Sequence, residues 1–435
     1  MIEIVLIIIF TLLFIVLAWW KLDWAISFCI VFLPAYLLRF KIWLIPVTIL
    51  EIMLIVVFLV WLIKVFSQNK GTLIDRCKSI WWPWQWLILL FVVSGIVAVL
   101  ISPDTRQALG LWKAYILEPV LFFIVFVNTM KSGRQKRMVV WAFGMSAVVV
   151  GFIAILQYLN IIDIPAHYGL EIPKRATSLF PFPTAIGKFV GPILALFLGL
   201  WLGGNKSQEK TVSPDKKGFI NMFLLGVICF SCIGLILSVS RGALLGVFAA
   251  LILISFFSRW KKWLWIGLAF LVLLILAIPQ TRNNVLSVFK ATDVSTDVRL
   301  VMWQGAGRII EDNPISGTGL ASFPVVYEDY KEASHTEFFP NPDHLILTLW
   351  IEMGLSGLII FGWLIIRFFT AGFKLASNYP LAVGLLAAMT AIIVHGFLDT
   401  PYFKNDLAVQ FWILMGLMIL LHRGNQGKHN TISND

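Results

Sequence analysis

Apolar runs of about 20 residues recur along the whole chain, and that is the length of a bilayer crossing. This one feature leaves little choice of fold, because inside lipid only helices or closed barrels satisfy their own backbone. Unbroken apolar runs, rather than alternating residues, select helices. We therefore predict an all-α, polytopic transmembrane bundle over 1–435 as a single integral membrane domain. Helices are expected at 2–20, 22–39, 43–64, 85–101, 109–129, 138–160, 184–203, 219–238, 243–258, 262–279, 345–369, 380–398 and 406–422. Pro34 interrupts the second run, and the first two are short, so a tilted or re-entrant hairpin is open there. The total is 12 or 13 helices. With no basic region and no small-residue cleavage site, the first run is expected to remain as an anchor.

The loops sort by charge. Lys64, Lys70, Arg76 and Lys78 share one, Lys131, Arg134, Lys136 and Arg137 another, and Lys206, Lys210, Lys216 and Lys217 a third. Arg259, Lys261 and Lys262 follow, then Arg367 with Lys374, then Arg423 and Lys428. They fall at every second loop, as expected for the cytoplasmic side. The formal charge of +11 belongs to these loops and does not point to nucleic acid. The loops between them, 102–108, 161–183, 239–242, 280–344 and 399–405, then face outward. Arg39 and Lys41 are placed outward too, against the bias. Cys229 and Cys232 sit i,i+3 in an apolar helix and read as packing residues.

The segment 280–344 is the one long extracytoplasmic loop. It begins with Thr281, Arg282, Asn283 and Asn284 and offers an amphipathic helix at 297–312, closed by Pro314, Gly317 and Gly319. Asp297, Gln304, Arg308 and Glu311 share one face of that helix, and Met302, Trp303, Ala306 and Ile310 the other. Arg299 projects from the apolar face.

Three outward arginines are candidates for binding an anion. Arg175 stands in Lys-Arg-Ala-Thr-Ser, Arg241 in Ser-Arg-Gly-Ala between two apolar helices, and Arg299 on the amphipathic helix. The guanidinium fork suits a diphosphate because it donates two parallel hydrogen bonds and stays charged. Each also has a structural reading, as a solvated charge or half of an ion pair. In Asn341-Pro-Asp-His-Leu, Asp343 or His344 is either a helix cap or a general base beside the arginines. Glu352 lies eight residues on, about 80° round a continuous helix from His344, placed to orient it or to anchor an arginine. His395 and Asp399 end a helix on the same side. Glu118 falls near mid-membrane, where a carboxylate is functional or paired. His167 and His335 lie outside any metal-ligand spacing, so no metal site is expected.

Four segments together resemble the O-antigen ligase and O-antigen polymerase superfamily of membrane glycan-transfer proteins. They are Arg175-Ala-Thr-Ser-Leu-Phe with Pro183-Thr-Ala-Ile-Gly, then Ser240-Arg241-Gly242-Ala243. Val298-Arg299 through Trp303, leading to Asn313–Phe323, forms the third, and Asp343-His344-Leu through Glu352 to Gly357 the fourth. Thr184 stands where that pattern often has Asn. The family usually reads His-Asn nine residues before the Glu; here Asp343 occupies the first place and His344 the second.

The resemblance implies a metal-independent, inverting transferase with no cofactor. It would move a glycan from a polyprenyl (undecaprenyl) diphosphate carrier to a glycan, lipid or protein acceptor, such as a lipid A core, at the outer face of the bacterial inner membrane. Arg241, Arg299 and Arg175 would hold the diphosphate, Asp343 or His344 would take the acceptor proton, and Glu352 would assist. A polymerase extending the glycan on its carrier needs the same donor site. A lipid-linked glycan exporter is the alternative of a different class, though the polar groups are expected at one surface with only Glu118 deep. A non-catalytic scaffold also stands, because of the shifted Asp-His pair.

Overall fold

The computed structural model describes residues 2–42, 45–68, 75, 79–203, 214–277, 294–331 and 339–432. Lys70, Arg76, Cys77, Lys78, Lys206, Lys210, the 281–284 start of the long loop and His335 lie outside the described residues. The chain is an all-α polytopic bundle. Its helices are α1 (Ile2–Trp20), α2 (Leu22–Val31), α3 (Ile49–Gln68), α4 (Gln85–Leu100), α5 (Thr105–Trp112), α6 (Glu118–Thr129), α7 (Gly133–Tyr158) and α8 (Pro183–Leu202). There follow α9 (Pro214–Ser238), α10 (Arg241–Phe257), α11 (Lys261–Ala277), α12 (Val294–Asp312), α13 (Leu345–Ala376), α14 (Pro380–His395) and α15 (Asn405–Ile432). Among the described residues, seven helical stretches are long and apolar enough to cross a membrane, and shorter apolar helices such as Gln85–Leu100 and Pro380–His395 accompany them. Helices α8, α10 and α14 pack together at the centre, α9 joins α8 to α7, and α15 lies along α6.

The N-terminal region departs from a simple count of crossings. The expected helix over 22–39 ends at Val31 and continues as a 3₁₀ turn, Leu33–Leu37, with Pro34 at its start. Proline fits a first helical turn but cannot donate to a longer one. Strands β1 (Arg39–Ile42) and β2 (Ile45–Thr48) then pair antiparallel, so the next helix begins at Ile49 rather than at 43. Thr48 and Glu51 start α3 with a reciprocal capping pair. Glu51 N donates to Thr48 Oγ1 at 3.1 Å and Thr48 N donates to Glu51 Oε2 at 3.3 Å.

The run expected at 109–129 is one helical stretch, but its middle, Lys113–Leu117, is π-helical. Widening one turn sets residues five apart above one another, as π-bulges do. Lys113 Nζ thereby reaches Glu118 Oε1 at 3.5 Å and Glu51 Oε2 at 3.2 Å.

Helix α12 forms as the amphipathic pattern requires. Met302, Ala306 and Ile309 are buried with Phe323, Tyr327 and Ile351 in a small apolar cluster of their own. The long helix α13 is broken at Gly354, whose φ of 68° and ψ of −178° suit glycine and strain any other residue. The loop after α12 fills the break. Thr318 N donates to Ile351 O at 2.7 Å and Leu355 N to Ile315 O at 3.0 Å, while Trp350 Nε1 donates to Pro314 O at 2.8 Å. Ser102 Oγ donates to Leu320 O at 2.7 Å and so fixes the far side of that loop to the end of α4. Helical backbone opened at this depth is tolerated because protein groups satisfy it.

Candidate functional site

Four helix ends meet at one place. They are the starts of α8, α10 and α13 and the end of α14, which leads into the 396–404 turn. Lys188, on the second turn of α8, is 5% exposed in an apolar helix. A buried ammonium needs a partner, and Asp399 supplies it. Lys188 Nζ lies 2.8 Å from Asp399 Oδ1, and Thr400 N donates to the same oxygen at 2.7 Å. His395 Nε2 stands 4.0 Å from Asp399 Oδ2.

The turn before α13 is pinned from three sides. Trp303 Nε1 of α12 donates to Pro342 O at 2.9 Å, Leu345 N donates to Gly396 O at 2.7 Å, and Asp343 N donates to Asn341 Oδ1 at 3.0 Å. This holds Asp343 in the left-handed region, at φ 44°, with its carboxyl in electrostatic reach of Asp399, Lys188 and Arg299. Burial pushes that carboxyl up to about 6, Asp399 pushes the same way, and Lys188 and Arg299 pull it back. For Asp399 burial also acts upward, but Lys188 and the neighbouring hydrogen bonds outweigh it and hold the carboxyl below its ordinary value. One carboxyl is thus held ionised and the other poised near neutrality, the division of roles that acid–base sites use.

His344 is placed differently from its neighbour. It is the N-cap of α13, and its Nδ1 accepts from Leu347 N across a long 3.4 Å. Trp303 and Phe397 pack edge-on against the ring at centroid distances of 5.2 and 5.7 Å. Burial lowers the imidazole below its usual value, so it is neutral near pH 7. The cap reading of His344 is therefore realised.

Arg241 opens α10 on an exposed face. Its neighbour Gly242 lies so close to α14 that a Cβ there would sit 2.6 Å from His395 Cδ2. Arg241 is thus fixed one residue from the cluster. Arg175 is committed elsewhere. Its Nε donates to Ser238 O at 3.2 Å and its Nη1 lies 3.6 Å from Glu171 Oε2, so it clasps the end of α9 just before the Ser240–Arg241 turn. Glu352 is buried on α13, two residues before the break. Among the described residues no hydrogen bond or ion pair ties it to His344 or to an arginine, and Tyr115 is its electrostatic neighbour. The expected relation on a continuous helix does not apply, because His344 stands outside the helix with extended backbone.

Two lysines were missed as site residues. Lys188 was visible as a charge inside the apolar run 184–203, which is itself a functional signal. Lys404 carries no such signal, since it sits in a short polar turn. The two ammonium groups lie 5.2 and 3.9 Å from the centroid of the same Phe182 ring. Lys404 Nζ is buried and has no hydrogen-bond partner among the described residues. Burial, then repulsion from Lys188, brings its pKa down to about 8. Glu118, whose partner the sequence did not reveal, pairs with Lys113. Charge below the surface is therefore not confined to Glu118. Among the described residues, no three His, Cys, Asp or Glu side chains lie together as a metal-ligand group.

No curated protein matches the chain. The segment that carries Arg241, Arg299, Asp343 and Glu352 does match a family. Residues 225–362 fit the family model Wzy_C, described as O-antigen ligase, and this match supports the resemblance to the O-antigen ligase superfamily.

Proposed function

We propose that this protein transfers a glycan from a polyprenyl-diphosphate carrier to an acceptor hydroxyl at the extracytoplasmic face of the bacterial inner membrane. The gathering of Lys188, Arg299, Asp343, Asp399 and His395 beside Arg241 carries this reading. Cations fixed at helix ends suit the diphosphate, and a carboxyl poised near neutrality suits the acceptor proton. The donor's lipid tail would lie between helices, with its diphosphate on Arg241, Arg299 and Lys188. Arg175 would hold the turn that presents Arg241.

In the reaction, the acceptor oxygen forms a bond to the anomeric carbon as the bond from that carbon to the diphosphate oxygen breaks. The acceptor proton passes to the Asp343 carboxylate, and the carrier diphosphate leaves with the bonding pair. Attack opposite the leaving group inverts the sugar carbon. Fixed cations stabilise the charge that grows on the leaving oxygen, which lets the step proceed without a metal. Asp343 is assigned the base role because its carboxyl faces the cations, whereas the His344 Nδ1 lone pair is taken by the helix start.

The test is purified protein in liposomes, supplied with a labelled polyprenyl-diphosphate glycan and candidate acceptors. Wild type is expected to move label onto an acceptor, and Arg241→Ala to abolish transfer while remaining folded and inserted. Full transfer by that variant removes the diphosphate clamp. Label that crosses the bilayer without covalent transfer selects an exporter instead.

A further inference from the structure

A second feature lies at the opposite end of the bundle, outside the glycan site. Helices α1, α2 and α7 line a groove of about 490 Å³, within the size range of small-molecule sites. Its walls are apolar, with Trp24, Phe28 and Val31 on one side and Met138, Trp141 and Met145 on the other. Ser27 lines it too, but its hydroxyl donates to Asp23 O at 2.9 Å within α2 and offers nothing to the groove. Arg134 and Arg137 stand at one end. Both are exposed, and among the described residues neither has an ion-pair or hydrogen-bond partner.

That end belongs to the side the loop charges assign to the cytoplasm. Arg134 and Arg137 open α7 directly after the 130–132 turn. The α1–α2 turn beside them is held by Lys64, whose Nζ donates to Ala18 O and Trp19 O at 3.3 and 2.5 Å. Trp24 and Trp141 flank the groove. An apolar trench open to lipid cannot hold water, and two cations at its mouth call for an anion. The cytoplasmic leaflet supplies both parts in one molecule, since basic pockets between helices there take anionic head groups.

We propose that this groove binds one anionic phospholipid of the cytoplasmic leaflet, its phosphate on Arg134 and Arg137 and an acyl chain along Phe28, Met138 and Met145. The site is independent of glycan transfer, because none of these residues belongs to the cluster around Asp343.

Native mass spectrometry of the purified protein, titrated with phosphatidylglycerol or phosphatidylcholine in mixed micelles, tests this. Wild type is expected to retain one phosphatidylglycerol in preference to phosphatidylcholine. The Arg134→Gln/Arg137→Gln variant is expected to weaken phosphatidylglycerol binding about thirtyfold, roughly fivefold for each cation at an anionic surface. Both side chains are exposed, so the lipid-free proteins should unfold at the same temperature, which confirms that the variant is folded. Equal retention of the two lipids by wild type, or unchanged phosphatidylglycerol binding by the variant, would overturn the proposal. So would a polyprenyl phosphate that displaces phosphatidylglycerol from wild type.

Discussion

Two polar clusters are built into this apolar bundle, and they balance their charges in opposite ways. Around Lys113, one ammonium meets two carboxylates, Glu51 and Glu118, and Glu51 is further held by Asn405 Nδ2 at 3.2 Å and by its own helix start. Around Asp399, the carboxylate is matched by Lys188, yet Arg299 and Lys404 add further positive charge, and Asp343 is left poised between states. The first cluster sets one cation between two carboxylates and fastens α3, the π-turn and α15 to one another, while the Glu118 oxygens accept no hydrogen bond among the described residues. The second brings Lys188, Lys404 and Arg299 together with the carboxyls of Asp399, Asp406 and Asp343.

The sharpest way to break this contrast is at Asp343. Asp343→Asn removes the proton acceptor and keeps the volume, so transfer should fall at least about 10³-fold, within the range for a lost general base. In wild type the carboxylate is the reacting form. With a carboxyl pKa of about 6, transfer should rise with pH through that region and level off above it. A rate that is flat from pH 5 to 8, with chemistry limiting, would remove Asp343 from the base role.

Lys188 should produce the next largest effect. Lys188→Met removes a cation that pulls the Asp343 carboxyl down and leaves Asp399 unneutralised beside it, and both changes push Asp343 up. The midpoint of the pH profile should move to higher pH; a rise of one unit lowers the ionised fraction roughly fivefold at pH 6 and by only about a tenth at pH 8, so the loss of transfer should shrink as pH rises. Adding Asp399→Asn to Lys188→Met removes both charges and should return the midpoint toward wild type. An unmoved midpoint in Lys188→Met, in protein that still inserts, would make Lys188 a structural ion only.

The fold was legible because lipid admits few solutions: run length and loop charge together led to the bundle. The site was legible only in part. Arg241, Arg299 and Asp343 stand in short motifs, and the structure sets them at or beside one convergence of helix ends. Lys188 and Asp399 are 211 residues apart, so only packing of α8 against α14 could reveal their bond. Lys113 and Glu118 are five apart, a spacing that faces different directions on an α-helix and meets only because the turn is π-helical. At Pro34 the helix expected over 22–39 gives way to a 3₁₀ turn and a β-hairpin, which brings Arg39 into electrostatic reach of Tyr36 and Tyr115.

At the other cluster the expected loss is of stability. Lys113→Met leaves two carboxylates without their cation; a buried polar group left unsatisfied costs about 1–3 kcal/mol, and a charged one more. Denaturation of the detergent-solubilised protein should show this, while transfer by the folded fraction changes less than about threefold. The double variant Lys113→Met/Glu118→Gln should recover part of the loss by removing one carboxylate. Transfer abolished at unchanged stability would place both clusters in the reaction and dissolve the contrast between them.

The smallest effect separates two adjacent residues. His344 and Asp343 share one turn, but the imidazole is turned into the start of α13 and the carboxyl toward the cations. Asparagine is among the best helix N-caps, so His344→Asn can replace the Nδ1 acceptor with its own side-chain oxygen. The ring's contacts with Trp303 and Phe397 are lost, and these are edge-on contacts worth about 0.5–1.5 kcal/mol each, a cost in stability rather than in proton transfer. Transfer in His344→Asn should therefore stay within about threefold of wild type, with its pH midpoint still set by Asp343. If His344→Asn instead loses transfer at least about a hundredfold while Asp343→Asn retains it, the imidazole is the base, and the ring must leave its cap when substrate binds.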